Sequence, residues 1–224
     1  MGTAVAVILG AGSGERLGAS EPKAFLDVEG STLLERAADG ARRAASVGRI
    51  VVVVPGGSED RARDDLQGVT VVAGGSSRQA SVFSALRALD AGPEDIILCH
   101  DAARPFASPA LFDSVAAAVG DAAGAVPVVP VADTVKRVSD DRVIETVPRN
   151  DLVLVQTPQA FRFETLRLGH ERAVAVSREF TDDAALVEWE GGEIRTVPGE
   201  RANIKITTAQ DLELARAIAR MRSG

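Results

Sequence analysis

The chain has 224 residues, enough for one large domain or one and a half at about 150 residues per domain. Hydrophobic residues make up 46% and charged residues 25%, which is typical of a globular protein and argues against a disordered chain. The net charge of −7 argues against a general nucleic-acid binder, because a phosphate backbone requires a basic face.

Neither a membrane segment nor a disulfide is expected. No segment approaches about 18 uninterrupted apolar residues, and the N-terminus lacks the basic region of a secretory signal. The single cysteine, Cys99, lies in the apolar run IILCH, where a buried thiol is expected. We therefore expect a cytoplasmic protein with no membrane partner.

Short runs rich in valine and isoleucine alternate with segments of helical period. Five runs are expected to be strands, and the middle ones are apolar on both faces, as parallel strands are. They are residues 3–9, 49–55, 69–73, 95–100 and 124–131.

Three helices are predicted between these strands. Residues 31–46 begin with Ser31 as a plausible N-cap, 76–89 form a second helix, and 108–120 open with Ser108 as N-cap and a proline at N1. The alternation predicts an α/β fold, a three-layer Rossmann-like sandwich with a mostly parallel mixed sheet, which binds ligands at the carboxyl ends of its strands.

After residue 131 the pattern changes. Residues 133–150 alternate apolar and polar residues on both sides of SDDR, which predicts a protruding β-hairpin arm. An arm of this length is expected to pack on something, and a partner subunit is one candidate. The remaining segments are a strand region at 152–161, a helix near 163–175, a helix beginning at TDDAALVEW, a strand at 193–198, and NIKIT at 203–207.

The last helix begins at Thr208, which is spaced from Asp211 as in a capping box. No repeat, linker or low-complexity tract is present. The chain is therefore expected to be one domain, 1–224, with the arm at about 133–150.

The stretch VILGAGSGERLG, residues 7–18, is a glycine-rich turn that follows a strand. It fails as a dinucleotide fingerprint because Glu15 stands where a glycine or alanine is needed, and because no acid ends the second strand. It also fails as a P-loop, since no Gly-Lys-Ser/Thr follows the glycines. Arg16 and Lys23 do follow, so the pattern fits a triphosphate grip, or alternatively a glycine turn with two solvated cations.

Further motifs favour the first interpretation. LGAGSGERLG, EPKAFLDVEGSTLLE, GGSSRQASV, HDAARPF, VADTVKRV, VPRN, TPQAF, FTDDA and ANIKIT occur in this order over nearly the whole chain. Together they resemble the 2-C-methyl-D-erythritol 4-phosphate cytidylyltransferases, a branch of the sugar-nucleotide-type nucleotidyltransferases. The resemblance implies transfer of CMP from CTP to methylerythritol phosphate in non-mevalonate isoprenoid synthesis, with release of pyrophosphate.

The resemblance also implies roles for residues. Arg16 and Lys23 are expected to stabilise the α-phosphate, with Arg149 and Lys205 orienting the attacking phosphate, and these four form the expected catalytic set. The expected nucleotide-binding residues are Gly10, Ala11, Gly12, Ser13, Gly14, Gly74, Gly75, Arg78 and Ser81. The expected acceptor-binding residues are Asp101, Ala102, Arg104, Thr134, Arg149, Thr157 and Lys205.

A Mg²⁺ ion is expected to bind mainly through the CTP phosphates, and no protein ligand is assigned to it. Asp101 is placed either for this ion or for the acceptor hydroxyls, and a cap or a salt bridge to Arg104 is its structural alternative. In this family part of the acceptor site comes from the arm of a second subunit, so a homodimer is expected. An arm that only dimerises is the alternative.

The remaining chemistry-bearing residues receive no role. His100 is expected to be packed or backbone-bonded, and His170 is expected on a helix surface. Two histidines and one cysteine make no zinc set. The sequence also departs from the family signature, which often has alanine where Gly10 stands and glutamine where Ala24 stands; the loss of a polar side chain at Ala24 is expected to bear on CTP affinity.

Several other functions remain open. The acceptor can be ribitol 5-phosphate, because the two branches share a nucleotide site, or the chain can be a uridylyl or guanylyl transferase. Outside this class stand a catalytically silent nucleotide-binding protein and a nicotinamide oxidoreductase. The missing acid after the second strand argues against the oxidoreductase, and the retained cations Arg16, Lys23, Arg149 and Lys205 argue against the silent binder.

Overall fold

The computed structural model describes residues 4–12 and 21–223. In chain order the strands are β1 (Ala4–Leu9), β2 (Asp27–Val28), β3 (Ser31–Thr32), β4 (Val47–Val54), β5 (Thr70–Ala73), β6 (Ile96–Asp101), β7 (Gly124–Pro130), β8 (Val135–Ser139), β9 (Arg142–Val147), β10 (Val153–Val155), β11 (Gln159–Arg162) and β12 (Ile194–Pro198). The α-helices are α1 (Leu33–Arg42), α2 (Glu59–Asp65), α3 (Arg78–Ala88), α4 (Pro109–Ala118), α5 (Phe163–Ala175), α6 (Asp183–Trp189) and α7 (Ala209–Ser223), and a 3₁₀ turn spans Lys23–Phe25.

Eight strands form the main sheet in the order β10-β7-β11-β6-β1-β4-β5, and β12 pairs with β7. Strands β1, β4, β5 and β6 are mutually parallel, and β12 is parallel to β7. In this sheet β10 is antiparallel to β7, and β11 is antiparallel to β6 and β7. The predicted mostly parallel mixed sheet is confirmed.

Helices cover both faces of this sheet because its central strands are apolar on both faces. On β1, Ala6 and Ile8 join a core with α1 and α4, whereas Val5 and Val7 join a core with α3, α5 and α6. Successive side chains of a strand point to opposite faces, so one short run supplies both cores. The predicted three layers are confirmed.

The strand order reverses next to β1. From β1 the chain proceeds to β4 and β5 on one side, and then crosses to β6 on the other side. Such a reversal opens a crevice at the carboxyl ends of the parallel strands. Leu9 and Asp101, the last residues of β1 and β6, are paired in register at this edge.

The helix starts follow local capping chemistry, with one correction. Thr32, rather than the predicted Ser31, caps α1, because Thr32 has a glutamate at N3: Thr32 Oγ1 accepts from Glu35 N, and the Glu35 carboxylate accepts from Thr32 N. The capping box of Thr208 and Asp211 is confirmed. The short polar helix α2 was not predicted, and of its residues only Ala62 is buried.

The predicted hairpin is present as β8 and β9, which pair only with each other in the described sheets. Asp140 and Asp141 turn the chain with positive φ angles of 46° and 65°, which aspartate tolerates better than most residues. Val138 and Ile144 on this hairpin are 63% and 60% exposed. The strand region predicted at 152–161 is divided into β10 and β11. Among the helices within the described ranges, none is both long and apolar enough to cross a membrane.

Candidate active site

A cavity of about 770 Å³ lies at the carboxyl edge of the sheet, where the strand order reverses. Its size is within the range of small-molecule sites. Its lining comes from the loop after β1, the 3₁₀ turn, the start of α3, the end of β6, and the segment before α7. The lining residues are Leu9, Gly10, Ala11, Gly12, Lys23, Ala24, Gly75, Ser76, Ser77, Arg78, Ser81, Asp101, Ala102, Ala103, Lys205 and Thr207.

Asp101 is the carboxylate at the centre of this cavity. Its Oδ1 accepts from Arg78 Nε at 3.2 Å, and its Oδ2 pairs with Lys205 Nζ at 2.7 Å. Burial raises the pKa of Asp101, but the charges of Arg78 and Lys205 outweigh burial and hold that pKa well below its ordinary value. Asp101 is therefore ionised, and its partners are Arg78 and Lys205 instead of the expected alternative, Arg104.

Arg78 is held between two carboxylates. Its Nη1 donates to Asp183 Oδ2 at 2.7 Å, and Asp183 is 2% exposed. Burial lowers the pKa of Arg78, but the charges of Asp183 and Asp101 raise it by more than burial lowers it, so the guanidinium stays charged. Its Nη2 is buried and has no hydrogen-bond partner among the described residues.

His100 is part of the wall behind Asp101. Its Nε2 lies 3.0 Å from the Arg104 carbonyl oxygen, which can only accept, so Nε2 carries the hydrogen. Its Nδ1 then accepts from the Thr157 hydroxyl at 3.0 Å, and Thr157 Oγ1 accepts from Asp101 N. Burial lowers the pKa of His100 to about 4. The expectation of a packed, backbone-bonded histidine is confirmed.

Lys23 contacts the segment 203–207, to which Lys205 belongs. The Lys23 ammonium donates to the carbonyl oxygen of Ile206. Asn203 is fully buried, and its side-chain amide donates to the Thr157 carbonyl oxygen at 2.8 Å. Together with the Lys205–Asp101 ion pair, these two contacts fix the segment to the cavity wall at three points.

The two positions that depart from the family signature contact each other. A Cβ placed on Gly10 would lie 3.0 Å from the Ala24 Cβ and 3.2 Å from a methyl group of Leu34. Ala24 is 3% exposed. Small residues at positions 10 and 24 therefore lie close together in the cavity wall.

The glycine turn after β5 supports the same cavity from another side. Gly74 N donates to the Val54 carbonyl oxygen, and a Cβ on Gly74 would lie only 2.4 Å from the Ala11 Cβ. Gly75 N donates to Ser81 Oγ at 3.2 Å. Gly74 does not line the cavity itself; it packs against Ala11, a lining residue in the loop after β1.

The structure brings many of the predicted site residues together. Those that line the cavity are Gly10, Ala11, Gly12, Lys23, Gly75, Arg78, Ser81, Asp101, Ala102 and Lys205. Gly74, Arg104 and Thr157 stand behind this lining. Ser13, Gly14 and Arg16 lie outside the described residues.

Thr134 and Arg149 are not brought to this cavity. Both flank the hairpin and are exposed, and the Arg149 guanidinium donates to the Ala132 carbonyl oxygen. Neither contributes to the cavity lining of its own chain.

Asp183 was not among the predicted site residues, and His170 does not lie where it was predicted. His170 is fully buried, so its predicted place on a helix surface is wrong. It shares the buried side of α5 with Phe163, Leu166 and Ala173, and this helical spacing was a usable signal. Asp183 carried no such signal, because its partner Arg78 is 105 residues away.

The described residues offer little to a metal ion on their own. They contain no cluster of three or more histidine, cysteine, aspartate or glutamate side chains that could hold one. Asp101 is the one carboxylate among the described lining residues. Mg²⁺ usually takes one or two carboxylates together with substrate phosphates, so this site fits an ion that arrives with a polyphosphate.

Comparisons with known proteins agree on one family. The model of the family described as IspD, 2-C-methyl-D-erythritol 4-phosphate cytidylyltransferase, matches residues 4–221. The chain is 44% identical to the protein of that name from Rhodococcus opacus (strain B4), over 97% of this chain and 95% of the relative. It is 46% identical to the Frankia casuarinae protein of the same name, over 95% of this chain and 80% of that protein.

Solved structures are similar as well. The 2-C-methyl-D-erythritol 4-phosphate cytidylyltransferase of Thermus thermophilus is 39% identical with a TM-score of 0.82, covering 98% of this chain and all of that one. The 4-diphosphocytidyl-2C-methyl-D-erythritolsynthase of Anaerococcus prevotii is 32% identical with a TM-score of 0.86, covering 98% and 96%.

Proposed function

Because this chain belongs to the 2-C-methyl-D-erythritol 4-phosphate cytidylyltransferase family, we propose that it transfers CMP from CTP to 2-C-methyl-D-erythritol 4-phosphate. The products are 4-diphosphocytidyl-2-C-methyl-D-erythritol and pyrophosphate. The observation that carries the proposal is the arrangement of Lys23, Arg78 and Lys205 around one cavity at the carboxyl edge of the sheet. Among the described lining residues, these three cations and the carboxylate of Asp101 form a site suited to phosphate groups.

The reaction needs positioning more than acid–base chemistry. An oxygen of the acceptor phosphate attacks the α-phosphorus of CTP in line, a new P–O bond forms, and pyrophosphate leaves with the electrons of the bond that breaks. A phosphate oxygen is already deprotonated at neutral pH, so no base is required. His100 is neutral and both of its ring nitrogens are already hydrogen-bonded, so it takes no part in the transfer.

Lys23 and Arg16 stabilise the negative charge that grows at the α-phosphate. Lys23 lies at the cavity wall, next to the loop after β1, where a triphosphate would approach the glycine backbone. Arg16 lies outside the described residues, and its role rests on the family motif. Fixed cations in a partly enclosed site lower the barrier to a charged transition state.

The nucleotide is held by the two glycine turns. Gly10 and Gly12 leave the backbone accessible to the phosphates. Gly75, Arg78 and Ser81 line the cavity from the second glycine turn and the start of α3. Backbone donors and acceptors of the second turn discriminate the cytosine edge. A Mg²⁺ ion bound through the CTP phosphates would offset part of their charge, with Asp101 as the available carboxylate.

The acceptor occupies the side of the cavity formed by Asp101 and Lys205. Lys205 orients the attacking phosphate, and Asp101 accepts from the polyol hydroxyls if it does not hold the ion. Ala102, Arg104 and Thr157 keep this wall in place through the contacts of β6.

The arm completes the acceptor site of a second subunit. Thr134 and Arg149 have no place in the cavity of their own chain, and the hairpin between them exposes Val138, Val143 and Ile144. We propose a homodimer in which each arm packs on the other chain and delivers Arg149 to its cavity. Residues 1–224 form one nucleotidyltransferase domain in this proposal, and the single cysteine fits a cytoplasmic location.

The test is pyrophosphate release by the purified protein with Mg²⁺, each of the four NTPs in turn, and either methylerythritol phosphate or ribitol 5-phosphate. We expect turnover with CTP and methylerythritol phosphate. Preference for ribitol 5-phosphate or for another NTP would overturn the substrate assignment. CTP binding without pyrophosphate release would identify a silent nucleotide-binding protein.

A further inference from the structure

A row of four side chains, His170, Asp183, Arg78 and Asp101, leads from the interior of the protein to the cavity. His170 Nε2 lies 3.3 Å from Asp183 Oδ1, Arg78 Nη1 lies 2.7 Å from Asp183 Oδ2, and Arg78 Nε lies 3.2 Å from Asp101 Oδ1. His170 and Asp183 are 0% and 2% exposed, and neither lines the cavity. We call these four residues the buried row.

The buried row fixes the plane of the guanidinium of Arg78, a residue that lines the cavity. Asp183 holds Nη1 of Arg78 and Asp101 holds Nε, so two anchors determine where the planar fork points. His170 donates to the other oxygen of Asp183 and thereby fixes the carboxylate in turn, since an ionised carboxylate can only accept.

Burying Asp183 has an energetic cost that a purely structural contact would not require. The carboxylate of Asp183, the first residue of α6, loses its hydration on burial, and well-packed apolar residues at such positions are often at least as stable. Asp183 offsets this cost through its charge-assisted hydrogen bonds with Arg78 and His170. A costly group that contacts a cavity cation is a candidate for a role in the reaction.

We propose that Asp183 and His170 are positioning residues for the transfer reaction, acting through Arg78 and, beyond it, Asp101. This inference rests on the function proposed for the cavity. Asp183 sets the orientation of Arg78, and His170 sets the orientation of Asp183. Neither touches a substrate.

Asp183→Asn tests the first link, and Asp182→Asn is its matched control. Asp182 precedes Asp183 directly and caps α6, accepting from Ala185 N at 2.9 Å and from Gln159 Nε2 at 2.8 Å. Asparagine is as good an N-cap as aspartate, so Asp182→Asn preserves the helix start. We expect Asp183→Asn to lower kcat/KM by about 10- to 100-fold, as for supporting partners of site residues, and Asp182→Asn to change it by less than about 3-fold.

The kinetic constants separate positioning from a simple charge effect. Asp183→Asn removes one negative charge near the cavity, and this change in charge alone would tighten CTP binding and lower the KM for CTP. Loss of positioning lowers kcat instead. Equal kcat values for Asp183→Asn, Asp182→Asn and the unsubstituted protein would overturn the proposal.

Two variants of His170 test the second link by opposite changes. His170 stacks on Phe83 with ring centroids 5.9 Å apart, so His170→Phe keeps the aromatic packing and removes the donor. His170→Gln keeps an N–H donor near Nε2 and removes the ring. We expect His170→Phe to lower kcat by about 2- to 10-fold and His170→Gln to retain most of it. The reverse order would assign His170 to packing alone.

A double variant asks whether Asp183 acts through Arg78. We expect Arg78→Met with Asp183→Asn to be no less active than Arg78→Met alone, because the group that Asp183 positions is already gone. A further loss in the double variant would contradict the proposed path. Thermal unfolding of every variant shows whether each is folded at the assay temperature. If Arg78→Met is unfolded, the comparison of His170→Phe with His170→Gln still tests the proposal.

The assay of the unsubstituted protein separates the two proposals. If it releases no pyrophosphate from CTP and methylerythritol phosphate, the proposed function fails and this inference fails with it. If it is active and Asp183→Asn matches its control, only the positioning role is wrong.

Discussion

Lys205 Nζ lies 2.7 Å from Asp101 Oδ2, and this ion pair joins the segment before α7 to the carboxyl end of β6. The two residues are far apart in the chain, yet they meet at the edge where the sheet reverses its strand order. The pair places a cation and a carboxylate side by side at the end of the cavity where we propose that the acceptor binds.

Removing the cation of this pair should impair use of the acceptor. We expect Lys205→Ala to raise the KM for methylerythritol phosphate and to lower kcat, with a smaller change in the KM for CTP, because the proposed role of Lys205 is to orient the attacking phosphate. Lys205→Arg should retain part of the activity. Initial rates with each substrate varied in turn provide the measurement, and a defect confined to CTP would contradict the assignment.

Lys23 should matter for the rate of transfer itself. We expect Lys23→Ala, and likewise Arg16→Ala, to lower kcat by a factor of about 10² or more, as for a removed electrostatic stabiliser. Arg43→Ala is a suitable control, because Arg43 is exposed and pairs with Asp39 on the far end of α1. A Lys23→Ala enzyme with normal kcat and raised KM for CTP would restrict Lys23 to ground-state binding.

Arg149 should act in the cavity of the other subunit. We expect Arg149→Ala alone to impair chiefly the use of the acceptor. A mixture of Lys23→Ala and Arg149→Ala chains should regain about a quarter of full activity, since half of the dimers are mixed and each mixed dimer has one complete cavity.

The mixture is informative in both directions. Chains are unfolded together and refolded before assay, so that subunits exchange. If Arg149 served its own cavity, every cavity in the mixed dimer would lack one residue, and no activity would return.

The contact between Gly74 and Ala11 should limit substitution in the second glycine turn. A Cβ at position 74 would lie 2.4 Å from the Ala11 Cβ, whereas a Cβ at Gly56 would meet nothing within 4 Å. We expect Gly74→Ala to destabilise the fold by about 1–3 kcal/mol and to raise the KM for CTP. Gly56→Ala should be neutral or slightly stabilising. Equal melting temperatures for the two variants would contradict the close approach of the loops.

His100 should make stability depend on pH. Burial lowers its pKa from 6.5 to about 4, so the unfolded chain binds a proton at a higher pH than the folded protein does. The stability due to neutral His100 is present above pH 6.5 and is lost as the pH falls towards 4. Urea unfolding at successive pH values should show a steeper loss for the unsubstituted protein than for His100→Gln, and parallel curves would be evidence against a buried neutral histidine.

Much of the fold was predictable because its signals are local. The apolar run at 3–9 predicted a strand, and the structure places Ala4–Leu9 as a buried strand inside the sheet. The Thr208–Asp211 spacing predicted a capping box from four residues. The same local rules explain the error at Ser31, because the adjacent Thr32 has the better partner in Glu35.

Local sequence patterns were enough to predict most of the order of elements and to indicate the family, and they predicted which cations and glycines belong to a phosphate site. Only the tertiary structure decided that His170 is buried, that Asp183 holds Arg78, and that Arg149 stands away from the cavity of its own chain. The difference lies in how far along the chain each interaction reaches. Periodicity and capping act over a few residues, whereas an ion pair across 105 residues depends on how α3 and α6 pack against one sheet.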